Sequence, residues 1–224
     1  MKKIVKAIAA IMLMAAVACA AGCKKESSNG SFNGHEYVDL GLPSGTLWAT
    51  CNVGADNPEN YGDYFAWGET EPKTAFNYDN YKYYDGHNEI TKYNSTDGLI
   101  TLEPSDDAAT INWGAGWKTP SLEQWQELSN NTTYKRMKQN GVWGFVFKGT
   151  NGNSIFLPGA GWYNEDDWTI LNPECPDGCY MSSSRSVERY SNAWYFRFGN
   201  IIIISDYRRA ETGVSVRSVC ALNN

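Results

Sequence analysis

Short runs of strand-forming residues, separated by turns that contain glycine, are the feature that most restricts the fold of this chain. Residues 142–157 contain two such runs around Gly149-Thr150-Asn151-Gly152, and residues 193–204 contain two around Gly199-Asn200. Glycine accepts the left-handed backbone conformation that tight hairpin turns require. Both segments therefore predict antiparallel hairpins.

Aromatic residues supply much of the material for a core. The chain contains 9 Trp, 14 Tyr and 21 Gly, which favours many short strands and loops held by aromatic packing. Residues 37–42 and 47–53 predict two further strands around the turn Pro43-Ser44-Gly45. Residues 54–97 have no sustained period and predict long loops, pinned by the aromatic side chains of Tyr61–Trp67.

Helical signals are few and short. Ser121-Leu122-Glu123-Gln124 is a capping box, which predicts a helix from there to about Asn130. Residues 105–109 predict a brief capped helical turn, because acids stand where the positive end of a helix dipole would lie. Residues 214–222 show no purely apolar face, which indicates a buried terminal strand paired on both sides. The predicted fold class is α+β in a single domain with an antiparallel sheet, two short helices and long loops.

The first residues predict a targeting segment. Lys2, Lys3 and Lys6 precede an uncharged apolar run, residues 7–21, which is typical of a secretory signal and too short for the roughly 20 residues of a spanning helix. Ala20-Ala21-Gly22-Cys23 resembles a bacterial lipoprotein box, in which cleavage before Cys23 exposes that residue for acylation. The alternative is an ordinary signal peptide cut near Ala18 or Ala21.

These boundaries divide the chain into a signal at residues 1–22, a polar flexible tether at residues 23–34 and a folded domain at residues 35–224. Removal of the signal takes away three lysines, which leaves 16 basic and 25 acidic residues and a net charge of −9. Proteins that bind a phosphate backbone carry clustered Lys and Arg. Nucleic acid is therefore not a predicted partner.

Four cysteines remain once Cys19 and Cys23 are set aside, and an even count in an exported chain permits two disulfides. Cys175 and Cys179 predict a bridge that closes a tight loop, although the same pair could form half of a metal or redox site. A structural zinc site needs four ligands, and the two histidines, His35 and His87, have no second ligand near them in the sequence. No metal or cofactor is predicted.

Several segments in combination resemble the Fibrobacter-major-paralogous-type domains that are abundant in Bacteroides lipoproteins. They cover nearly the whole mature chain and are Glu36–Gly54, Tyr61–Glu69, Asn112–Trp117, Thr119–Trp125, Asn153–Pro158 and Ser215–Val219. The resemblance implies a C-type-lectin-like fold, in the version shared with formylglycine-generating enzymes. It also implies that the first strand lies near the last, which would bring Cys51 close to Cys220 as a second candidate bridge.

The same resemblance suggests two kinds of site to look for, the copper site of an enzyme and the calcium site of a lectin. Formylglycine-generating enzymes hold copper with two cysteines, but this chain lacks their Arg-Gly-Gly-Ser-Trp motif, so the chain is predicted not to be an enzyme. Calcium-dependent lectins share Glu-Pro-Asn or Gln-Pro-Asp motifs, which Glu71-Pro72-Lys73 and Glu103-Pro104-Ser105 do not match. The acidic run Glu165–Asp167 is either a solvated turn or a calcium site. Ser182–Ser184 predict a hydroxyl-rich turn, since no glycine elbow surrounds them.

The C-terminal stretch carries the predicted ligand-binding residues, whose types are enriched in binding hot spots. They are Arg185, Arg189, Tyr190, Trp194, Tyr195, Arg197, Ile201, Ile203, Asp206 and Tyr207. Four consecutive isoleucines, Ile201–Ile204, place apolar groups on both faces of a strand. Either one face meets solvent or a partner, or the strand is buried on both faces.

Together these patterns predict a noncatalytic binding protein of the cell envelope. Lipid on Cys23 would hold it at the outer membrane, on a side that the sequence leaves open, and its C-terminal surface would bind a protein or a glycan. One alternative is a structural or accessory subunit of a surface assembly. A second is a retroelement-diversified receptor, because Met181–Ser184 and Ser215–Arg217 resemble the borders of such variable regions. A formylglycine-generating-type oxidase is the third.

Overall fold

The computed structural model of the chain describes residues 29–87, 89–163, 177–199 and 202–221, with residues 202–207 described by their backbone. The strands are β1 (Gly30–Phe32), β2 (His35–Asp39), β3 (Leu47–Asn52), β4 (Tyr64–Phe65), β5 (Trp117–Lys118), β6 (Thr132–Gln139), β7 (Val142–Gly149), β8 (Ser154–Pro158), β9 (Gly178–Arg185), β10 (Asn192–Phe198), β11 (Ile202–Arg209), β12 (Val214–Ser215) and β13 (Arg217–Cys220). The helices are α1 (Ala108–Trp113) and α2 (Leu122–Asn131), with 3-10 turns at Tyr78–Asn80 and Pro104–Asp106.

The predicted α+β class is confirmed, since curled and mainly antiparallel sheets dominate and the two α-helices are short. The first sheet has the order β1-β2-β3-β13-β5. Val219 on β13 lies opposite Trp48 on one side and Lys118 on the other. The terminal strand is therefore paired on both sides, as its sequence predicts.

The second sheet, in the order β11-β10-β9-β12-β4, is the central layer of the molecule. Its two faces pack into different hydrophobic clusters. Tyr195 and Met181 belong to the cluster that contains Trp67 and Trp117, whereas Phe196 and Tyr180 belong to the cluster that contains Trp48 and Trp125. Burial on both faces explains why nearly every residue of β9 is inaccessible to solvent.

The third sheet contains two strands that the sequence predicts and one that it does not. Its order is β6-β7-β8, and the turn at residues 149–153 connects β7 and β8 as predicted. β6 pairs with β7 along its whole length, from Thr132 opposite Gly149 to Gln139 opposite Val142. The sequence analysis did not predict β6, whose side chains are mostly exposed.

Helix α2 begins at the predicted capping box. The Ser121 hydroxyl accepts from the Gln124 amide at 3.3 Å, and the Gln124 side chain accepts from the Ser121 amide at 2.9 Å. Trp125 then lies fully buried against Phe196, with ring centroids 4.5 Å apart and planes 3° from parallel, and its indole donates to the Met181 carbonyl at 3.0 Å. This contact fixes α2 on the second sheet. Neither helix in the described ranges has the length and apolar character needed to cross a membrane.

The long predicted loop region of residues 54–97 is held by aromatic side chains. Trp67, Tyr81, Tyr83 and Tyr93 are buried together, and the ring centroids of Trp67 and Tyr93 are 4.8 Å apart in an edge-to-face arrangement. In an edge-to-face pair, the partially positive edge of one ring contacts the partially negative face of the other. Residues 54–87 and 89–97 thus form a packed layer with little regular secondary structure.

Candidate functional site

The C-terminal residues that were predicted to bind a ligand do not share one surface. Tyr195 is 0% exposed, and its hydroxyl donates to the Arg209 carbonyl at 3.3 Å. Because β10 is buried on both faces, Tyr195 cannot contact a ligand, and its prediction as a ligand-binding residue is wrong. Trp194 and Arg197 are half-buried on the same strand.

Three of the remaining predicted residues lie on strand β11, where the structure describes the backbone alone. Ile203, Asp206 and Tyr207 are placed by their backbone, with Asp206 opposite Tyr195 and Tyr207 opposite Trp194. Ile201 lies outside the described residues, as do Cys23, Cys175 and the acidic run Glu165–Asp167.

Three predicted residues do lie together, where β9 ends and the chain turns toward β10. Arg185 closes β9, and Arg189 and Tyr190 are exposed in the following turn. The Arg185 guanidinium carbon is 4.3 Å from the centroid of the Tyr190 ring, which is a cation–π contact. The Tyr190 ring covers Arg185, whose residue is only 4% exposed.

Three exposed apolar residues lie at or near this end of β9. Ile100 is 54% exposed, Val187 is 60% exposed and Tyr190 is 40% exposed. The Arg185 amide donates to the Ile100 carbonyl at 2.9 Å, so the Ile100 loop lies directly beside the end of β9. We call Ile100, Arg185, Val187, Arg189 and Tyr190 the Arg185 patch. In the described ranges, two other large apolar side chains reach comparable exposure, and they are Ile111 and Tyr134.

Hydrogen bonds hold the turn of the patch in place. The Ser186 amide donates to the Asn192 carbonyl at 3.1 Å, and the Asn192 amide donates to the Arg189 carbonyl at 2.8 Å. The Ser186 hydroxyl accepts from the Arg189 amide at 3.2 Å. The turn is therefore closed by backbone pairing and by a side-chain cap, which limits the entropy that a ligand would have to remove.

The loop that carries Ile100 is fixed as well. The Leu102 amide donates to the Ser183 carbonyl at 3.0 Å, and Thr101 forms an antiparallel bridge with Ser184. This short strand-like contact continues the second sheet beyond β9. The patch thus rests on the ordered edge of the central layer.

The Arg185 guanidinium lacks partners for part of its donor set. Its Nε and Nη1 atoms make no hydrogen bond within the described part of the chain, and no carboxylate there is close enough for an ion pair. Burial lowers the pKa of the guanidinium, while the charge of Asp97 acts in the opposite direction. Arginine remains protonated under these conditions. A buried cation with unpaired donors therefore lies under a half-exposed tyrosine.

A second arginine cluster lies further along the same sheet. The guanidinium carbons of Arg197 and Arg208 are 4.8 Å and 4.0 Å from the ring centroid of Trp162. Arg197 also forms an ion pair with Asp177 at 3.2 Å. Trp162 is buried, so these arginines act as a cover over its ring. Their contacts within the protein make them weaker candidates for ligand binding than the Arg185 patch.

The proposed bridge between Cys51 and Cys220 is not formed, and both thiols are free. Cys220 lies opposite Leu47 on β3, which is four residues from Cys51 along that strand. At about 3.3 Å per residue this separation is about 13 Å, beyond the roughly 7 Å that a disulfide can span between Cα atoms. The strands are neighbours as expected, but their register excludes the bridge.

The cavities that open on the described surface away from the patch include two of several hundred Å³. One has a volume of about 510 Å³ and is lined by residues that include His35, Cys51 and Trp113, and the His35 ring stacks on Trp113 at 3.9 Å. The other has a volume of about 400 Å³ and is lined in part by Tyr64 and Tyr163. Within the described ranges, no three His, Cys, Asp or Glu side chains come together in a way that could hold a metal ion.

Sequence analysis missed Ile100 and Val187 as parts of the site. Val187 is an isolated apolar residue in Ser186-Val187-Glu188, and Ile100 belongs to the short apolar stretch Leu99-Ile100-Thr101-Leu102. Such residues are common on surfaces and carry no signal by themselves. Their position beside Arg185 follows from the sheet topology.

No family model matches the chain, and no curated protein or solved structure is significantly similar to it.

Proposed function

We propose that this chain is a noncatalytic binding protein that recognises a protein ligand through the Arg185 patch. The observation that carries the proposal is the exposed Tyr190 ring over a buried arginine whose donors are partly unpaired, with the exposed residues Ile100 and Val187 close by along the backbone. Tyrosine and arginine dominate interface hot spots, especially where neighbouring apolar groups exclude water.

The chemistry of the patch indicates what the ligand carries. An apolar group of the ligand would cover Ile100, Val187 and the Tyr190 ring, at about 25 cal/mol for each Å² removed from water. The positive charge of Arg185, which lies under the Tyr190 ring, would attract a carboxylate of the ligand. The proposed ligand surface therefore combines an apolar knob with an acidic residue.

The sequence supports a display role for the same domain. The sequence predicts a flexible tether at residues 23–34, but strand β1 (Gly30–Phe32) belongs to the folded domain. The lipoprotein-type segment that ends at Cys23 and the polar residues before β1 would place the domain at a membrane on a shorter tether. Several acyl chains on one residue would hold it there, because each buried methylene adds about 0.8 kcal/mol. We propose an outer-membrane location on this basis.

A photo-crosslinking amino acid placed at Val187 on intact cells would capture the ligand, which is then purified for affinity measurements. We expect Tyr190→Ala to weaken binding about 30-fold, since a hot-spot residue contributes at least about 2 kcal/mol. Tyr134→Ala is the matched control, because Tyr134 is similarly exposed but lies on β6. Equal affinities of the two variants for the captured ligand would reject the site.

A further inference from the structure

We propose that the cavity beside Tyr163 is a saccharide-binding site. The cavity has a volume of about 400 Å³, and its lining includes Asp63, Tyr64, Lys73, Thr74, Phe76 and Tyr163. This volume lies within the range of about 300–1,000 Å³ that is usual for small-molecule sites. We call it the aromatic cavity. It shares no residue with the Arg185 patch.

Three rings form the walls and floor of the aromatic cavity. The ring centroids of Tyr64 and Tyr163 are 4.6 Å apart with planes at 89°, and the ring of Phe76 lies 6.1 Å from that of Tyr163 with planes at 27°. Phe76 is buried, whereas both tyrosines are half-buried. The two tyrosines therefore present ring surface to the cavity, and Phe76 supports Tyr163 from below.

The protein fixes these rings before any ligand arrives. The Tyr64 hydroxyl donates to the Ala160 carbonyl at 2.5 Å. Tyr163 and Gly213 exchange two backbone hydrogen bonds of 2.8 Å. Gly213 has no room for a side chain, since a Cβ atom there would lie 2.5 Å from the Phe76 ring. A preformed cavity reduces the cost of ordering on binding.

Polar groups in the cavity are available for a ligand. Within the described residues, the Asp63 carboxylate makes no hydrogen bond or ion pair, and the hydroxyls of Thr74 and Tyr163 have no hydrogen-bond partner. Lys73 differs, because its ammonium already donates to Glu69 and to both oxygens of Asn80. The cavity therefore offers a carboxylate acceptor and two hydroxyls beside aromatic rings.

This combination fits a neutral polyhydroxyl ring better than other ligands. The face of an aromatic ring is partially negative, so it attracts the C–H groups on one face of a sugar. Hydroxyls at the edge of the sugar can donate to Asp63. A wholly apolar ligand would leave the Asp63 carboxylate desolvated and unpaired, which is costly. Asp63 and Lys73 carry opposite charges in the same lining, so neither an anion nor a cation gains a net charge attraction there.

The test uses the full mature chain and four probes, the methyl glycosides of glucose, galactose, mannose and N-acetylglucosamine, in ligand-observed NMR and calorimetry. We expect at least one to bind. Asp63→Asn should weaken it about fivefold, because a neutral acceptor forms the weaker hydrogen bond. Tyr163→Ala should weaken it at least about tenfold. Tyr134→Ala, a tyrosine on β6, should leave binding unchanged.

A substitution at the edge of the cavity distinguishes loss of the binding site from loss of the fold. Thr74 is exposed, so Thr74→Trp should fill the cavity mouth without disturbing the core, and sugar binding should be lost while the unfolding midpoint stays the same. Failure of all four glycosides to bind, or binding that survives both Thr74→Trp and Tyr163→Ala, would overturn the proposal.

Discussion

Replacement of Asp106 by asparagine should destabilise the protein strongly at neutral pH and much less in acid. The Asp106 carboxylate is almost inaccessible to solvent and accepts three hydrogen bonds: from Lys82 at 2.9 Å, from Lys92 at 2.5 Å and from the Tyr93 hydroxyl at 2.8 Å. Lys92 also pairs with Glu103. This cluster ties residues 82–93 to the segment that follows the Ile100 loop of the Arg185 patch.

The expected loss of stability can be estimated from the groups that bind the Asp106 carboxylate. Breaking a fully buried ion pair costs about 3–5 kcal/mol. The side chains of Lys82 and Lys92 are 47% and 29% exposed, so water can solvate them in part after the change. Asparagine still accepts one hydrogen bond through its oxygen. We therefore expect a loss of about 3 kcal/mol, which corresponds to about 6–12 °C in the midpoint of thermal unfolding.

The pH dependence has a defined sign. Burial would raise the pKa of Asp106, but hydrogen bonds from Lys92, Lys82 and Tyr93 outweigh it and hold the pKa well below its usual value. A depressed pKa contributes stability that is fully present above the unfolded value of about 3.9, and that stability is lost progressively as the pH falls from there through the lower folded pKa. The difference between wild type and Asp106→Asn should therefore shrink in acid.

Urea unfolding followed by tryptophan fluorescence at about pH 7 and about pH 3 would measure both free energies of unfolding. Asp79→Asn is the control, because Asp79 is exposed in a 3-10 turn and should change stability by less than about 0.5 kcal/mol. A deficit for Asp106→Asn that is the same at both pH values would refute the electrostatic argument. A deficit below about 1 kcal/mol at neutral pH would refute the magnitude.

Three further outcomes are expected. Arg217→Met should cost about 3 kcal/mol in urea unfolding, since the fully buried guanidinium donates to Asn52 at 2.8 Å and to two backbone carbonyls that would lose their partner. Alkylation without reductant should label Cys51 and Cys220 in the unfolded chain, but not Cys220 in the folded one, because burial raises its thiol pKa to about 11; a mass consistent with a bridge would contradict this. Cys23→Ala should move the protein from the membrane fraction to the soluble one, and retention at the membrane would reject lipidation of Cys23.

The elements that sequence analysis predicted have strong local signals. The Ser121–Gln124 capping box and the glycine-containing turn after β7 each specify their geometry within a few residues. β6 lacks such a signal, because Thr132–Gln139 is polar on both sides and has no apolar face. Its pairing with β7 supplies the stability that its own pattern does not reveal.

The candidate site was harder to predict, because residue type does not distinguish a surface from a buried sheet. Tyr195 and Tyr190 are both tyrosines in the same stretch, yet one fills the core and the other covers Arg185. An irregularity in the pairing of β10 with β11, between Tyr195 and Arg197, also breaks the simple alternation of faces. Ile100 joins the site through a loop that is distant in the sequence, and local sequence patterns do not predict such a contact.

Burial of the second sheet on both faces determines where this domain can bind anything. A substitution on β9 or β10 changes a core on one side or the other, so its strands cannot vary without a cost in stability. The turn of residues 186–191 is closed by its own hydrogen bonds, including the cap from the buried Ser186, and residues 187–190 are exposed, so their composition can change at little structural cost. The Arg185 patch is built mainly on that turn. If the domain serves different ligands in different relatives, we therefore expect the differences to concentrate in residues 187–190 and in the Ile100 loop, and to spare Ser186 and the strands of the second sheet.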